Sequence, residues 1–437
     1  MVNSKLSAAL FASAALVTGN LNAAVTEADV QGSFFPYQDA APAVEGITPG
    51  TVINQSNWQI AADHLDEAML EAVKEGWTEI KVDETTSFDL HPAYVEATSS
   101  GAAKVSLGEG VGNIMGYTAG RPFPQEPSID DPRAGEKLAW NYQYGYNWGD
   151  NANINPFYWK FRNMNSGKVE RTLKFGFSFL NFKHRVGTEP IPEYDENPAD
   201  IFRSIYLHVL EPFDLKNTQL LIYRYKDDAK RDDSWLYLGF QRRVRRLATG
   251  QVTDSFLGSD LMIQDFEGYN GRISDMNWRY LGTQDMLLPF YNHNDMQLSD
   301  EYEDDDGYRY IDFGGKGGCF PQITWQLRKA YKVEVVPVDE SSPISKRIVY
   351  MDAQTFTLPR SLIYDKADKL WKTFLIGQAH PDHHLPGNKG TGVSLDDSFM
   401  VMDMQSLHCT TGQFRGMAYE VADRETFSVQ HIRIKGR

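Results

Sequence analysis

The sequence predicts a mainly β protein of the α+β class, built on one large curved antiparallel sheet with helices packed on its concave side. Three observations lead there. From residue 168 onward, apolar and polar residues alternate with period two over many short stretches. Successive strands follow one another without long helices between them, the pattern of an antiparallel meander. Helical spacing is confined to the N-terminal part and to one stretch before residue 150.

The chain opens with Lys5, an uncharged apolar run at 6–17, and Leu21-Asn22-Ala23 ahead of Ala24. Those three parts in order predict a cleavable signal peptide over 1–23. The run is too short to span a bilayer, which takes roughly 20 apolar residues. Export to the periplasm is therefore expected. A lipoprotein is not, because the only cysteines are Cys319 and Cys409, nor is an outer-membrane barrel, because the chain ends Ile434-Lys435-Gly436-Arg437. In an oxidising compartment the two cysteines either pair or remain two buried thiols, and the sequence leaves both open.

Residues 24–56, rich in Pro, Gly and Ala, read as an extended arm, and 57–437 as a single domain with a helical N-terminal part. Asn57 is placed to cap a helix carrying Ile60, Leu65, Met69, Leu70 and Val73, which Gly76 stops. Another helix is expected over 136–144, followed by Gly-Asp-Asn loops. The first strong strand is 169–179, where Leu173, Phe175, Phe177 and Phe179 share a face and alternate with Lys174, Gly176 and Ser178. Side chains two apart point the same way, so these four are expected on the concave side, lining an apolar hollow. Tyr223, Trp235 and Tyr237 are read as further aromatic lining. Strands are expected at 202–210, 219–225, 234–240, 242–247, 331–338, 346–352, 360–365, 370–378 and 398–405.

The formal charge of −16 disfavours nucleic acid and anionic lipid headgroups as partners. An aromatic content of 13% suits either a large core or a wide apolar cavity. Enzyme signatures are missing: there is no nucleophile elbow, no zinc-protease helix motif and no phosphate-binding loop. The run His380-Pro381-Asp382-His383-His384 has metal-ligand types, yet it sits among prolines and reads better as a solvated loop. The acidic run 301–306 departs from the calcium-loop spacing and reads as a solvated turn. No metal and no cofactor are expected.

The segment 223–266 carries the strongest signal: a strand, Trp235-Leu236-Tyr237-Leu238, an arginine-rich strand, then Gly258-Ser259-Asp260. Arg242 and Arg246 in so acidic a chain need partners. Asp254, Asp260 and Asp265 are the candidates for structural ion pairs, and docking of a ligand carboxylate or a partner protein is the alternative.

This pattern resembles the outer-membrane lipoprotein-sorting carriers and, more closely, the Gram-negative domain-of-unknown-function family 1329. The matching pieces are the signal peptide, 117–125 (YTAGRPFPQ), 254–260 (DSFLGSD), 346–352 (KRIVYMD), and Tyr364-Asp365 ahead of Leu370-Trp371-Lys372. The resemblance implies an unclosed barrel of antiparallel strands, its mouth filled or lidded by helices, holding a lipid, acyl chain or sterol-like molecule. It also implies work beside an RND-type (resistance-nodulation-division) inner-membrane exporter and an outer-membrane protein. A periplasmic carrier of a hydrophobic ligand, and not an enzyme, is thus the expectation. A structural adaptor of an envelope complex is the alternative, and a lipid or glycan hydrolase a more distant one.

Overall fold

Strands at the centre of the sheet come from opposite ends of the chain. In the computed structural model, which describes residues 24–248, 253–291, 298–420 and 422–436, the C-terminal strand His408–Ala418 pairs with Asn151–Asn163. The leader read at 1–23 lies outside the described residues. From one edge to that junction the order is Val52–Ile53, Ile80–Asp83, Thr324–Pro337, Ile344–Asp352, Arg360–Asp365, Leu370–Ala379, Leu395–Asp403 and His408–Ala418. Beyond it come Asn151–Asn163, Val169–Asn181, Ile201–Glu211, Gln219–Tyr225, Asp233–Leu238 and Arg243–Arg246. Met276–Leu288 also pairs with Thr324–Pro337, and Phe290–Tyr291 with Leu370–Ala379, making sixteen strands in one unclosed sheet among the described residues. Two pairings are parallel, Ile80–Asp83 on Thr324–Pro337 and Phe290–Tyr291 on Leu370–Ala379, so the sheet is mixed.

One face of this sheet converges in a single apolar cluster that includes Leu173, Phe175, Phe177, Phe179, Trp159, Leu207, Phe399 and Ile348. Phe399 and Trp159 lie on strands two apart, about 9–10 Å in a flat sheet, yet their ring centroids are 5.4 Å apart. The intervening strand supplies Gly412, where a Cβ would lie 2.1 Å from the Phe399 ring. Four residues on, a Cβ at Gly416 would lie 2.2 Å from Trp148. The two glycines let large rings lie over the strand and across the inner face.

Helices reach this inner cluster from the N-terminal part. The arm read as extended contains the helix Glu27–Phe34, closed by a capping box in which Thr26 Oγ1 accepts from the Asp29 amide and Asp29 accepts from the Thr26 amide. Its Val30 and Phe34, with Tyr94 from Pro92–Gly101, join the inner cluster. The helix expected from Asn57 is instead a 3-10 turn, Trp58–Ala61, and a helix, Glu67–Lys74. Asp66 decides that boundary: its carboxylate accepts from the Ala68 and Met69 amides and pairs with buried Arg360 at 2.7 Å. Ala134–Gln143 forms near the expected position, and Val429–Lys435 ends the chain's structure.

Besides several short strands, three long ones were not expected from the sequence. Asn151–Asn163 contains Pro156 and a register shift between Ile154 and Phe157. Met276–Leu288 slips its alternation between Tyr280 and Gly282. In His408–Ala418 the two glycines and polar residues hide the periodicity. Cys319 and Cys409 form a disulfide that ties the turn after Gly318 to this last strand. Among the described residues no helix is long and apolar enough to cross a membrane.

Candidate ligand cavity and its plug

The hollow is built on two neighbouring strands whose inner positions are almost all aromatic. On Val169–Asn181 these are Phe175, Phe177 and Phe179. On Asn151–Asn163 the shift at Pro156 puts Phe157, Trp159 and Phe161 on the same face as Ile154. Trp159 meets Phe175 edge-on at 4.8 Å, and Phe157 meets Phe414 at 4.6 Å. The inward placement read for Leu173, Phe175, Phe177 and Phe179 is therefore observed, with all four at most 4% exposed.

Tyr223, Trp235 and Tyr237 do not share that face. On Gln219–Tyr225 it is Leu220 and Ile222 that join the inner cluster. Tyr223 and Trp235 pack with Tyr237 against the C-terminal segment on the other side. Tyr223 Oη donates to the Phe427 carbonyl at 2.6 Å, and Tyr237 Oη donates to the Gly436 carbonyl. Period two assigns the odd positions of Gln219–Tyr225 and of Asp233–Leu238 to the outer face, so aromatic weight alone misplaced these three.

The space left inside is small. A cavity of about 50 Å³ remains among Trp148, Trp159, Phe179, Phe399, Glu267 and Asp396, whereas small-molecule sites usually measure roughly 300–1,000 Å³. Residues 255–268 fill the rest. This stretch folds as two 3-10 turns, Phe256–Gly258 and Ile263–Gly268, joined by a bridge between Ser255 and Met262. It pushes Phe256, Leu261, Ile263 and Phe266 into the aromatic cluster. Phe266 sits 6.0 Å from Phe177 and 5.6 Å from Phe256, edge to face in both cases. Left-handed backbone at Leu257-Gly258 and Glu267-Gly268 reverses the chain at each end.

Polar groups hold this plug in place. Asp265 pairs with Arg347 at 2.8 Å, both fully buried, and its carboxylate also accepts from the Met262 amide. The Asp260 carboxylate accepts from Thr410 Oγ1 at 2.7 Å and lies 2.8 Å from His408 Nδ1. That contact, ahead of the opposing effect of burial, holds the imidazole above its usual value. Glu267 meets both terminal nitrogens of Arg203 at 3.1 Å. Asp260 and Asp265 thus anchor the plug through partners remote in sequence, and not through the arginine strand with which they were read to pair. Arg246 pairs with Asp233, while Arg242 lies in an exposed turn with φ of 50° and Asp254 is also exposed.

Asp396 is the buried carboxyl at the polar end of the cavity, accepting from Gln378 Nε2 at 2.6 Å. Burial, reinforced by the nearby Glu267 charge, pushes it up to about 8 from 3.8. Between those values the folded state keeps a proton that the unfolded state has lost. Stability from this group is therefore complete below pH 4 and declines toward pH 8, by at most about 1.4 kcal/mol per unit. Urea titrations from pH 4 to 8 are expected to show a shallower decline for Asp396→Asn than for the wild type. Parallel curves would mean that the carboxyl is already ionised in place.

The remaining sequence candidates are engaged elsewhere. His380 Nδ1 accepts from the Asp382 amide at the start of a short helix, and His384 lies 3.1 Å from both Tyr308 Oη and Asn388 Nδ2. Among the described residues no group of three or more His, Cys, Asp or Glu is placed to hold a metal. The acidic run is no free turn: Glu301 pairs with Lys160, and Asp304 and Asp306 with Arg415. The plug, Arg203, Glu267 and Asp396 were missed. The one available signal was a lone acid pair, Asp396-Asp397, interrupting an apolar strand.

Among solved structures, a DUF1329 family protein from Desulfovibrio piger is similar to this chain at 17% identity and a TM-score of 0.47. The match covers 69% of this chain and 99% of that one. An outer membrane lipoprotein-sorting protein domain from Vibrio parahaemolyticus gives 14%, 0.47, 69% and 100% for the same measures. A LolA superfamily protein from Nitrosomonas europaea gives 10%, 0.37, 64% and 91%. No curated protein matches the chain. A family model described as a protein of unknown function, DUF1329, matches residues 52–433, and the chain belongs to that family.

Proposed function

We propose that the protein is a periplasmic carrier of a hydrophobic small molecule or lipid, delivered to its compartment by the leader at 1–23. The observation that carries this reading is the plug. An aromatic face from many strands surrounds a volume occupied by an irregular segment whose rings stand where an apolar guest would lie. Three polar contacts, at Asp260, Asp265 and Glu267, hold that segment to the wall.

The apolar part of the exchange is balanced. Moving Phe256, Leu261, Ile263 and Phe266 into water costs about 1.5–3 kcal/mol each. An acyl chain entering in their place returns about 0.8 kcal/mol per CH₂. A guest with on the order of ten carbons offsets the apolar part of the plug, and the Asp260, Asp265 and Glu267 anchors set the further cost of its release. Transfer of this kind requires no reacting residue. Handover to an RND-type transporter and an outer-membrane partner belongs to the same proposal, and its only support is the family resemblance.

The structural adaptor reading has one observation in its favour, the small volume left open in this conformation. Titration of a fluorescent naphthylamine probe separates the two. A carrier binds it one to one, unaffected by chelator, with a negative heat-capacity change. Phe266→Ala is expected to bind about tenfold more tightly, because the displaced segment is a weaker competitor. If the wild type takes up no apolar probe and native mass spectra show no retained apolar molecule, the adaptor reading replaces the carrier.

A further inference from the structure

The plug is amphipathic in a definite order. Leu261, Ile263 and Phe266 form an apolar body inside the hollow, and the next residue, Glu267, ends it with a carboxylate. Both carboxylate oxygens face Arg203, each 3.1 Å from a terminal nitrogen, in the two-pronged geometry that suits guanidinium and carboxylate. The guanidinium lies over Phe179 at 4.4 Å, and Phe179 lines the cavity together with Glu267. Arg203 Nε is buried with no hydrogen-bond partner. Glu267 holds φ of 58° without being glycine, a backbone conformation that persists where surrounding contacts impose it.

We infer that the guest of this cavity is an amphipathic carboxylic acid whose carboxylate takes the place of Glu267 on Arg203. The inference rests on the carrier reading above and specifies the chemistry of its ligand. When the plug leaves, Glu267 leaves with it, and a largely buried guanidinium loses its counter-ion. A neutral guest leaves that charge uncompensated, and an amine adds a second positive charge beside it. A carboxylate on an apolar tail restores both halves of what the plug provided. The cavity's other carboxyl, Asp396, is buried, and burial holds it well above the usual carboxylate range, toward the neutral form.

The test is displacement of the naphthylamine probe by dodecanoate, methyl dodecanoate and dodecylamine, each below its micelle concentration, at pH 7. In the wild type, dodecanoate is expected to displace the probe at the lowest concentration and the amine at the highest. Arg203→Met keeps an apolar stem and removes the charge, and is expected to lower the acid-to-ester affinity ratio at least tenfold. Glu267→Gln weakens the plug as a competitor of every guest alike, and is expected to tighten acid and ester severalfold with their ratio unchanged. If the Arg203 variant does not fold, the preference of the wild type for acid over ester serves as the test. An acid-to-ester ratio unchanged in folded Arg203→Met, or no preference for the acid in the wild type, overturns this inference and leaves an unselective carrier. Failure of the wild type to bind any of the probes overturns the carrier reading itself.

Discussion

Asp352→Ala is expected to cost about 3–5 kcal/mol of stability, the range for removing one partner of a buried ion pair. Asp352 and Arg328 are both completely buried, joined at 2.6 Å and 3.3 Å. The same carboxylate accepts from the Gln354 and Thr355 amides and from Thr355 Oγ1. Arg328 in turn donates to the Thr86 carbonyl at 2.7 Å and lies 4.1 Å from the centre of the Phe290 ring. Removing the acid therefore strands a guanidinium and unpins a turn at once. Urea denaturation monitored by tryptophan fluorescence measures the loss. The double replacement Arg328→Met with Asp352→Leu is expected to recover much of it, since a matched apolar pair carries no desolvation cost. A loss below about 1 kcal/mol for the single variant would mean that water reaches and screens the site.

Reduction of the disulfide is the second large effect. Cys319 and Cys409 are 90 residues apart, and both are fully buried. In chain-entropy terms a loop of that length contributes about 4–5 kcal/mol by restricting the unfolded ensemble. Melting of the protein after unfolding in reductant, and of Cys319→Ser with Cys409→Ser, is expected to occur at a clearly lower temperature. Because the bridge lies in the cluster with Met164, Met400 and Met402 and apart from the inner aromatic cluster, loss of stability is expected without loss of probe binding. Equal melting with and without the bridge would show that the reduced chain already holds those segments together.

How much of this was legible depended on where the periodicity survived. Val169–Asn181 announces itself because polar residues fall on alternate positions, so one count gives both the strand and its inner face. Asn151–Asn163 carries more aromatics but reads as a loop, because Pro156 interrupts it and Tyr158 is covered on its outer side by Tyr302. The helix Glu27–Phe34 was overlooked for its surrounding composition, although Thr26 and Asp29 have the spacing of a capping box. Asp260 and Asp265 stood out as partners for the arginine strand, and the structure pairs them elsewhere. Those partners, His408 and Arg347, are brought close only by the sheet, and no local pattern names them. The plug is the least legible part, since its fold depends on the hollow it fills. Tyr223, Trp235 and Tyr237 show the converse error, in which residue type was weighed above parity.

The junction between His408–Ala418 and Asn151–Asn163 also governs the order in which the molecule comes together. Strands from 151 to 246 can pair as hairpins with their neighbours soon after they emerge, since only short loops need closing. Their inner aromatic face has no roof at that stage, because Phe399 and Phe414 belong to the last strands made. A chain threaded from its amino end across a membrane therefore presents Phe175, Phe177 and Phe179 to water until nearly the whole length has followed. For such a nascent chain, this interval of exposed aromatic surface is where self-association competes with folding. A holdase waiting on the far side would act on that face rather than on the finished protein.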